Sequence, residues 1–162
     1  ILVAPFSHLE MIVGFVMGGI FRGIVVGTGI FVIALFFGGA GVAHLGLLLF
    51  YIVSVSIIFA LLGMIVGLWA DGFEQLNILS TFIITPLSFL GGVFYSIEML
   101  PEKAQVIALW NPFFYFVDGI RYAMLGIREG SAVTGYVVIF GLIALLGSIT
   151  WYLFKIGWRL RE

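Results

Sequence analysis

A chain of 162 residues, 63% of them hydrophobic and only 9% charged, with a mean hydropathy of +1.28, falls far short of the roughly 25% charged residues of a soluble domain. Its net charge of -1 and lack of any Lys/Arg run exclude nucleic acid as a partner, and the absence of cysteine excludes disulfides and thiolate metal sites. Because about 20 apolar residues cross a bilayer core of ~30 Å, the length has room for four or five spanning helices.

The chain opens Ile1-Leu2-Val3-Ala4-Pro5, without Met, a charged leader region or a small-residue cleavage site, the pattern expected of a fragment. Ser7-His8-Leu9-Glu10 follows, just ahead of an apolar run. Such a sequence predicts a capping box, in which hydroxyl and carboxylate reciprocally satisfy backbone donors at a helix start. A short interfacial helix over 8–17 is therefore expected. It is either a simple re-entry helix or a cytoplasmic coupling helix, with Ser7, His8 and Glu10 fitting a soluble partner.

From Arg22 to Asp71 no charged residue intervenes, too long a stretch for one span and suited to two. Clustered glycine at Gly38-Gly39-Ala40-Gly41 marks the turn between them. The spans are predicted over 18–37, with Arg22 snorkelling to the interface, and over 45–69. Gly19, Gly23 and Gly27 on the first, and Ser56, Ala60, Gly63 and Gly67 on the second, form small-residue ridges suited to close helix packing.

A third span is predicted over 75–97, after the break at Asp71-Gly72. Asn77, Thr81, Thr85 and Ser88 recur on it at spacings that place them on one helical face. A polar stripe in a lipid-bathed helix is expected to turn inward, either as interhelical glue or as the lining of a transport path. Pro86 in the same span lacks an N–H and is expected to free the carbonyl of Phe82 and kink the helix.

From Tyr95 to Glu129 the chain carries charges at both ends around an uncharged middle too short to cross. Pro101-Glu102 reads as a helix start and Asn111-Pro112 as a break. Two short helices, 101–110 and 112–125, dipping into one leaflet are predicted, tolerated there because helices satisfy their own backbone. Asp118 and Arg121, three apart, are expected to form a local ion pair that is either structural or gates the mouth of a path. The last span is predicted over 132–154, anchored by Trp151, Tyr152, Trp158, Lys155, Arg159 and Arg161 at a cytoplasmic interface.

No ionisable group is placed at mid-bilayer by this reading, which disfavours proton or ion coupling and points to energy entering from a separate subunit. The histidines, His8 and His44, fit no metalloprotease helix, and no nucleophile elbow occurs. No catalytic, cofactor or metal residue is assigned, and the chain is read as not an enzyme.

Leu100-Pro101-Glu102 and the run from Asn111-Pro112 through Asp118-Gly119-Ile120-Arg121 resemble the signature region of bacterial ABC type-2 transport permeases, a class that includes drug, polysaccharide and nodulation-factor exporters. Pro5-Phe6-Ser7-His8-Leu9-Glu10 resembles that family's cytoplasmic segment before its third span. Leu100, Pro101, Asn111, Pro112, Asp118 and Arg121 are the residues that carry the motif. The resemblance implies an all-α polytopic transmembrane helix bundle with two short re-entrant or interfacial helices before the last span. It further implies six spans in the complete subunit, the last four of which lie here, and a homodimer carrying two ATP-binding cassette ATPase subunits.

The expected function is thus the membrane-spanning subunit of an ATP-binding cassette exporter of a drug, lipid-linked or polysaccharide substrate, in the bacterial inner membrane with both ends of the chain cytoplasmic. ATP and Mg are expected at the partner subunit, since no phosphate-binding loop occurs here. The alternatives are a passive channel, which conducts without ATP, and a scaffold, which carries no flux.

Overall fold

The computed structural model describes residues 7–37, 41–70 and 72–157. The expected glycine turn at 38–40, the family-like Pro5-Phe6 and the anchor residues Trp158, Arg159 and Arg161 lie outside the described residues. Every regular element among the described residues is helical: α1 (His8–Phe36), α2 (Leu45–Trp69), α3 (Phe73–Leu79), a π turn (Ser80–Ile84), α4 (Thr85–Leu90), a 3-10 turn (Ile97–Met99), α5 (Glu102–Trp110), α6 (Pro112–Leu125) and α7 (Ala132–Ile156). The expected all-α bundle is what forms. α1, α2 and α7 are each long and apolar enough to cross a membrane.

α1 begins with the predicted capping box. Glu10 N–H donates to Ser7 Oγ at 3.3 Å, and Ser7 N–H to Glu10 Oε2 at 2.7 Å. The separate helix expected over 8–17 does not exist, because α1 continues unbroken from His8 to Phe36. Gly18 and Gly19 weaken a helix by only about 0.5–1 kcal/mol each, whereas breaking it in lipid strands backbone donors at several kcal/mol apiece. This start places Arg22 at the midpoint of α1.

α2 is apolar on every face and sits at the centre, packed by α1, α6 and α7. Its buried residues Leu48, Tyr51, Ser54, Ile58, Leu61 and Met64 follow one another at steps of three and four, a single helical stripe. The small ridges meet as expected over part of their length. A Cβ on Gly19 would come within 2.7 Å of that of Ala60, and one on Gly23 would overlap Ser56 Oγ. Gly63 and Gly67 instead face open space. The pairing of Gly19 with Ala60 and Gly23 with Ser56 fixes α1 antiparallel to α2 and sets Arg22 level with the midpoint of α2.

The run from Phe73 to Leu90 is helical throughout but widened at Ser80–Ile84. Pro86 has no N–H for the Phe82 carbonyl and its ring crowds that turn. The chain answers with a π turn, across which Thr85 Oγ1 donates to Ser80 O at 2.9 Å. The third span, expected to reach 97, ends as helix at Leu90, because a Cβ on Gly91 would come within 2.9 Å of that of Phe113 and Gly92 turns the chain at φ 80°.

The two short helices form a hairpin. α6 matches its expected bounds, while α5 begins one residue late, with Pro101 as its cap and the Pro101 carbonyl accepting from Ala104 and Gln105 N–H. Phe113, in the first turn of α6, meets Phe59 edge-on past the midpoint of α2, and Gly119 lies on the Tyr51 ring nearer its start. Finally, Ala43 and His44 N–H donate to Met124 and Ala123 carbonyls, at 3.1 and 2.9 Å. α6 thus runs from mid-depth to the Leu45 end of α2. α7 starts beside it, capped by Ser131, and ends at Ile156, two residues beyond the expected limit, with Gly157 in the left-handed conformation as its cap.

Candidate functional site

Where the hairpin returns to the Leu45 end of α2, four ionisable side chains come together in a chain that has few. Asp118, on α6, is 3% exposed. Its Oδ1 accepts the Glu129 N–H at 2.7 Å, and its Oδ2 stands 3.8 Å from Arg128 Nε. At that separation attraction of the charges remains but no hydrogen bond does, so Arg128 Nε is a buried donor with no hydrogen-bond partner. The Arg128 guanidinium is held in other ways: Nη2 donates to the Tyr51 hydroxyl at 3.3 Å, and its carbon lies 4.3 Å over the Tyr122 ring.

Arg121, one turn along α6, reaches in another direction. Nη1 donates to Glu129 Oε1 at 2.6 Å and Nη2 to the Gly92 carbonyl at 2.6 Å. Glu129 Oε2 accepts the Ile97 N–H at 2.9 Å. Two acids and two bases therefore bind five pieces of chain to one another: α2, the loop after α4, the 3-10 turn, α6 and the loop before α7. The charges balance within the cluster, and the half-buried setting strengthens each contact.

The expected ion pair between Asp118 and Arg121 is not formed. Both sit on α6, but the Asp118 oxygens are taken by the Glu129 N–H and by Arg128, while Gly92 and Glu129 draw the Arg121 fork away. Arg128, Glu129, Tyr51 and Gly92 were not foreseen as members. Four charges within a dozen residues of a sparsely charged chain are the signal of a cluster there.

The remaining motif residues serve the hairpin. Asn111 is buried at its turn, where Oδ1 caps α6 by accepting the Phe113 N–H at 3.0 Å and Nδ2 donates to the Leu87 carbonyl at 2.6 Å. Pro112 occupies the first position of α6, where its missing N–H is harmless. The Leu100 side chain packs on the cluster of Ile97, Ala108, Phe114 and Tyr115, and its carbonyl accepts from Gln105 Nε2 at 2.8 Å.

Ser7, His8 and Glu10 are exposed at the opposite end of the bundle, given that α1 runs antiparallel to α2. The polar stripe departs from expectation. Asn77, Thr81 and Thr85 are exposed and only Ser88 is half-buried, so the stripe does not turn into the interior of this chain. The limb that bears it packs on the other helices chiefly through α4 against α6. Ser88 Oγ, like that of Thr85, is satisfied within its own helical run, donating to Ile84 O at 2.8 Å.

The family model of the ABC-2 type transporter matches residues 1–125. The chain belongs to the ABC-2 type transporter family. Among ABC-2 relatives, the inner membrane transport permease YadH of Escherichia coli K12 is 37% identical over all 162 residues, which cover 63% of that protein. Nodulation protein J of Rhizobium leguminosarum bv. viciae is 32% identical over 117 residues, 72% of this chain and 45% of that protein. Nodulation protein J of Rhizobium meliloti is 35% identical over 100 residues, 62% and 38% of the two chains. The chain spans less than two thirds of the length of these relatives. No solved structure matches it. Family membership and three helices fit to cross a bilayer make this ABC-2 chain part of a multi-pass membrane protein.

Proposed function

We propose that this chain is the membrane-spanning part of an exporter's permease subunit, in the bacterial inner membrane, driven by ATP and Mg at a separate ATP-binding cassette subunit. The observation that carries this reading is the hairpin, fastened at its mouth by the four-charge cluster and at its turn by Asn111 to α4. A hairpin of this kind is a plug that stops halfway. It closes one end of a path while leaving the other to be opened by a subunit docked at the far side.

In this reading Phe73–Leu90 with the loop that follows makes a fourth crossing, both ends of the chain are cytoplasmic, and the capped start of α1 receives motion from the ATPase. Two copies face each other across the path. The exposed Asn77, Thr81 and Thr85, together with Ser88, line it, since polar groups left open on one copy find water or partners there. Breaking and remaking the ion pairs around Asp118 and Arg121 lets the hairpin of each copy part from the loop after α4.

The test is co-purification of an ATP-binding cassette ATPase with the full-length permease, followed by flux in vesicles. ATP-dependent flux that stops when the ATPase is inactivated is expected. Conduction without ATP would instead establish a channel, and a stable complex with no flux under any condition a scaffold.

A further inference from the structure

A single ion pair grips both ends of the segment between α4 and the 3-10 turn. Arg121 Nη2 donates to the Gly92 carbonyl at 2.6 Å, Glu129 Oε2 accepts the Ile97 N–H at 2.9 Å, and the two side chains meet at 2.6 Å through Nη1 and Oε1. Between these points the chain has no other polar hold. Among the described residues the N–H groups of Val93, Phe94, Tyr95 and Ser96 donate no hydrogen bond, and Val93 and Phe94 are exposed. Phe94 stacks on Phe89 with ring centroids 4.9 Å apart, which ties the segment to α4. The Ile97 side chain is buried with Ala108, Phe114 and Tyr115 and fixes the far end. Residues 92–96 are thus a strap between α4 and an apolar pivot, and Arg121 with Glu129 is its buckle.

Opening a buckle made of charges costs most when one of them is left unpaired in a half-buried place. Here a second acceptor stands close by. Asp118 lies three residues before Arg121 on α6, the spacing at which helical side chains are neighbours. Its Oδ1 is engaged by the Glu129 N–H, but its Oδ2 accepts no hydrogen bond among the described residues, Arg128 Nε being 3.8 Å away. Arg128 keeps a positive charge beside Glu129, the next residue, when Arg121 turns away. The charge of the cluster is therefore balanced in either pairing, and only the strap loses partners.

We propose that Arg121 is a two-position switch: on Glu129 it buckles the strap to α6, and on Asp118 it releases the strap together with the end of α4. Asp118 then has two opposed effects, steadying Glu129 through its backbone and competing with it for the guanidinium. The switch is a property of the folded chain; its use in opening a path rests on the transport function proposed above.

The test is electron paramagnetic resonance of a nitroxide attached in the Val93→Cys variant of the full-length permease, in phosphatidylcholine nanodiscs and with any other cysteine replaced. A held strap gives an immobilised component and a released one a mobile component. Glu129→Gln takes the charge from the buckle and should raise the ratio of mobile to immobilised label roughly tenfold, as loss of a charge-assisted hydrogen bond does. Arg121→Lys, which lacks the fork that reaches both partners, should raise it in the same direction and carries the test if Glu129→Gln does not fold. Asp118→Asn decides between the two effects of Asp118. Its amide oxygen still accepts the Glu129 N–H while the competing charge is gone, so the mobile share should fall below that of wild type even as overall stability declines. A rise would reduce Asp118 to a support of Glu129 and overturn the switch, as would a ratio unchanged in both buckle variants. Flux in vesicles judges the transport function separately. The expected mobilities without ATP-driven flux would remove that function and leave the switch, whereas ATP-driven flux with mobilities that ignore these substitutions would remove the switch alone.

Discussion

Gly119 lies directly on the ring of Tyr51, so closely that a β-carbon at 119 would overlap it. Tyr51 is 1% exposed, and its hydroxyl accepts from Arg128. The central helix, the hairpin and the charged cluster therefore meet at one aromatic ring, which a single glycine allows to be there. Gly119→Ala should lower stability by about 1–3 kcal/mol through overpacking, read as a fall in the thermal midpoint of the detergent-solubilised protein. Combining it with Tyr51→Leu should cost less than the two changes summed, because both act on one contact. Additive losses would mean that the ring and the glycine do not share their energy.

Asp118→Ala leaves Arg128 buried without its counter-charge. A loss of about 3–5 kcal/mol is the usual consequence of breaking such a pair, again measured by thermal unfolding. Asp118→Asn should be milder, because its amide oxygen still accepts the Glu129 N–H. Equal effects of the two would show that the hydrogen bond to Glu129 contributes nothing.

Asn111 performs two tasks that substitution can separate. Asn111→Asp keeps the cap on α6 and loses the donor to Leu87; Asn111→Ala loses both. We expect a difference of about 1 kcal/mol between them, the worth of a cap, and faster amide hydrogen exchange over 87–92 in either. Protection there that survives both variants would show that α4 is held by packing alone.

The capped start of α1 gives a topological test of the proposed function. A cysteine replacing His8 should react with a membrane-impermeant maleimide from the cytoplasmic side and become protected when the ATPase binds. Labelling from the periplasm would invert the whole arrangement.

The stripe yields a test of the proposed path. Thr81→Val keeps volume while removing a hydroxyl that is exposed on this chain, and is expected to change ATP-driven flux with the amount of assembled complex unaltered. Unchanged flux would leave the stripe no part in transport.

What could be read from the sequence was local. The hairpin was legible because a break at Asn111-Pro112 and an apolar middle shorter than a span are chemical facts of adjacent residues. The capping box of Ser7 and Glu10 was legible for the same reason. The length of α1 was not, since nothing in the run Met17-Gly18-Gly19 reveals that lipid makes a broken helix worse than a glycine-bearing one, and the place of Arg22 at the middle of that helix was missed with it. The partners of Asp118 and Arg121 were likewise hidden. They depend on where the chain returns after Gly126, whose left-handed turn at φ 72° precedes Arg128 and Glu129, and on Gly92 arriving from another element.

The widened turn at Ser80–Ile84 alters what the spacing of the stripe means. A π turn takes one more residue to close than an α turn, and one residue is about 100° of helix rotation, at 3.6 residues per turn. Asn77 enters this turn from below and Ser88 lies wholly beyond it, so the positions that align on an ideal helix are set apart by more than a quarter of a revolution. The limb presents two polar arcs, with Thr81 and Thr85 at the twist between them. Passing the extra residue along the helix, one hydrogen bond at a time, would rotate one arc against the other without lengthening the limb by more than a single residue's rise, the motion of a screw rather than of a hinge.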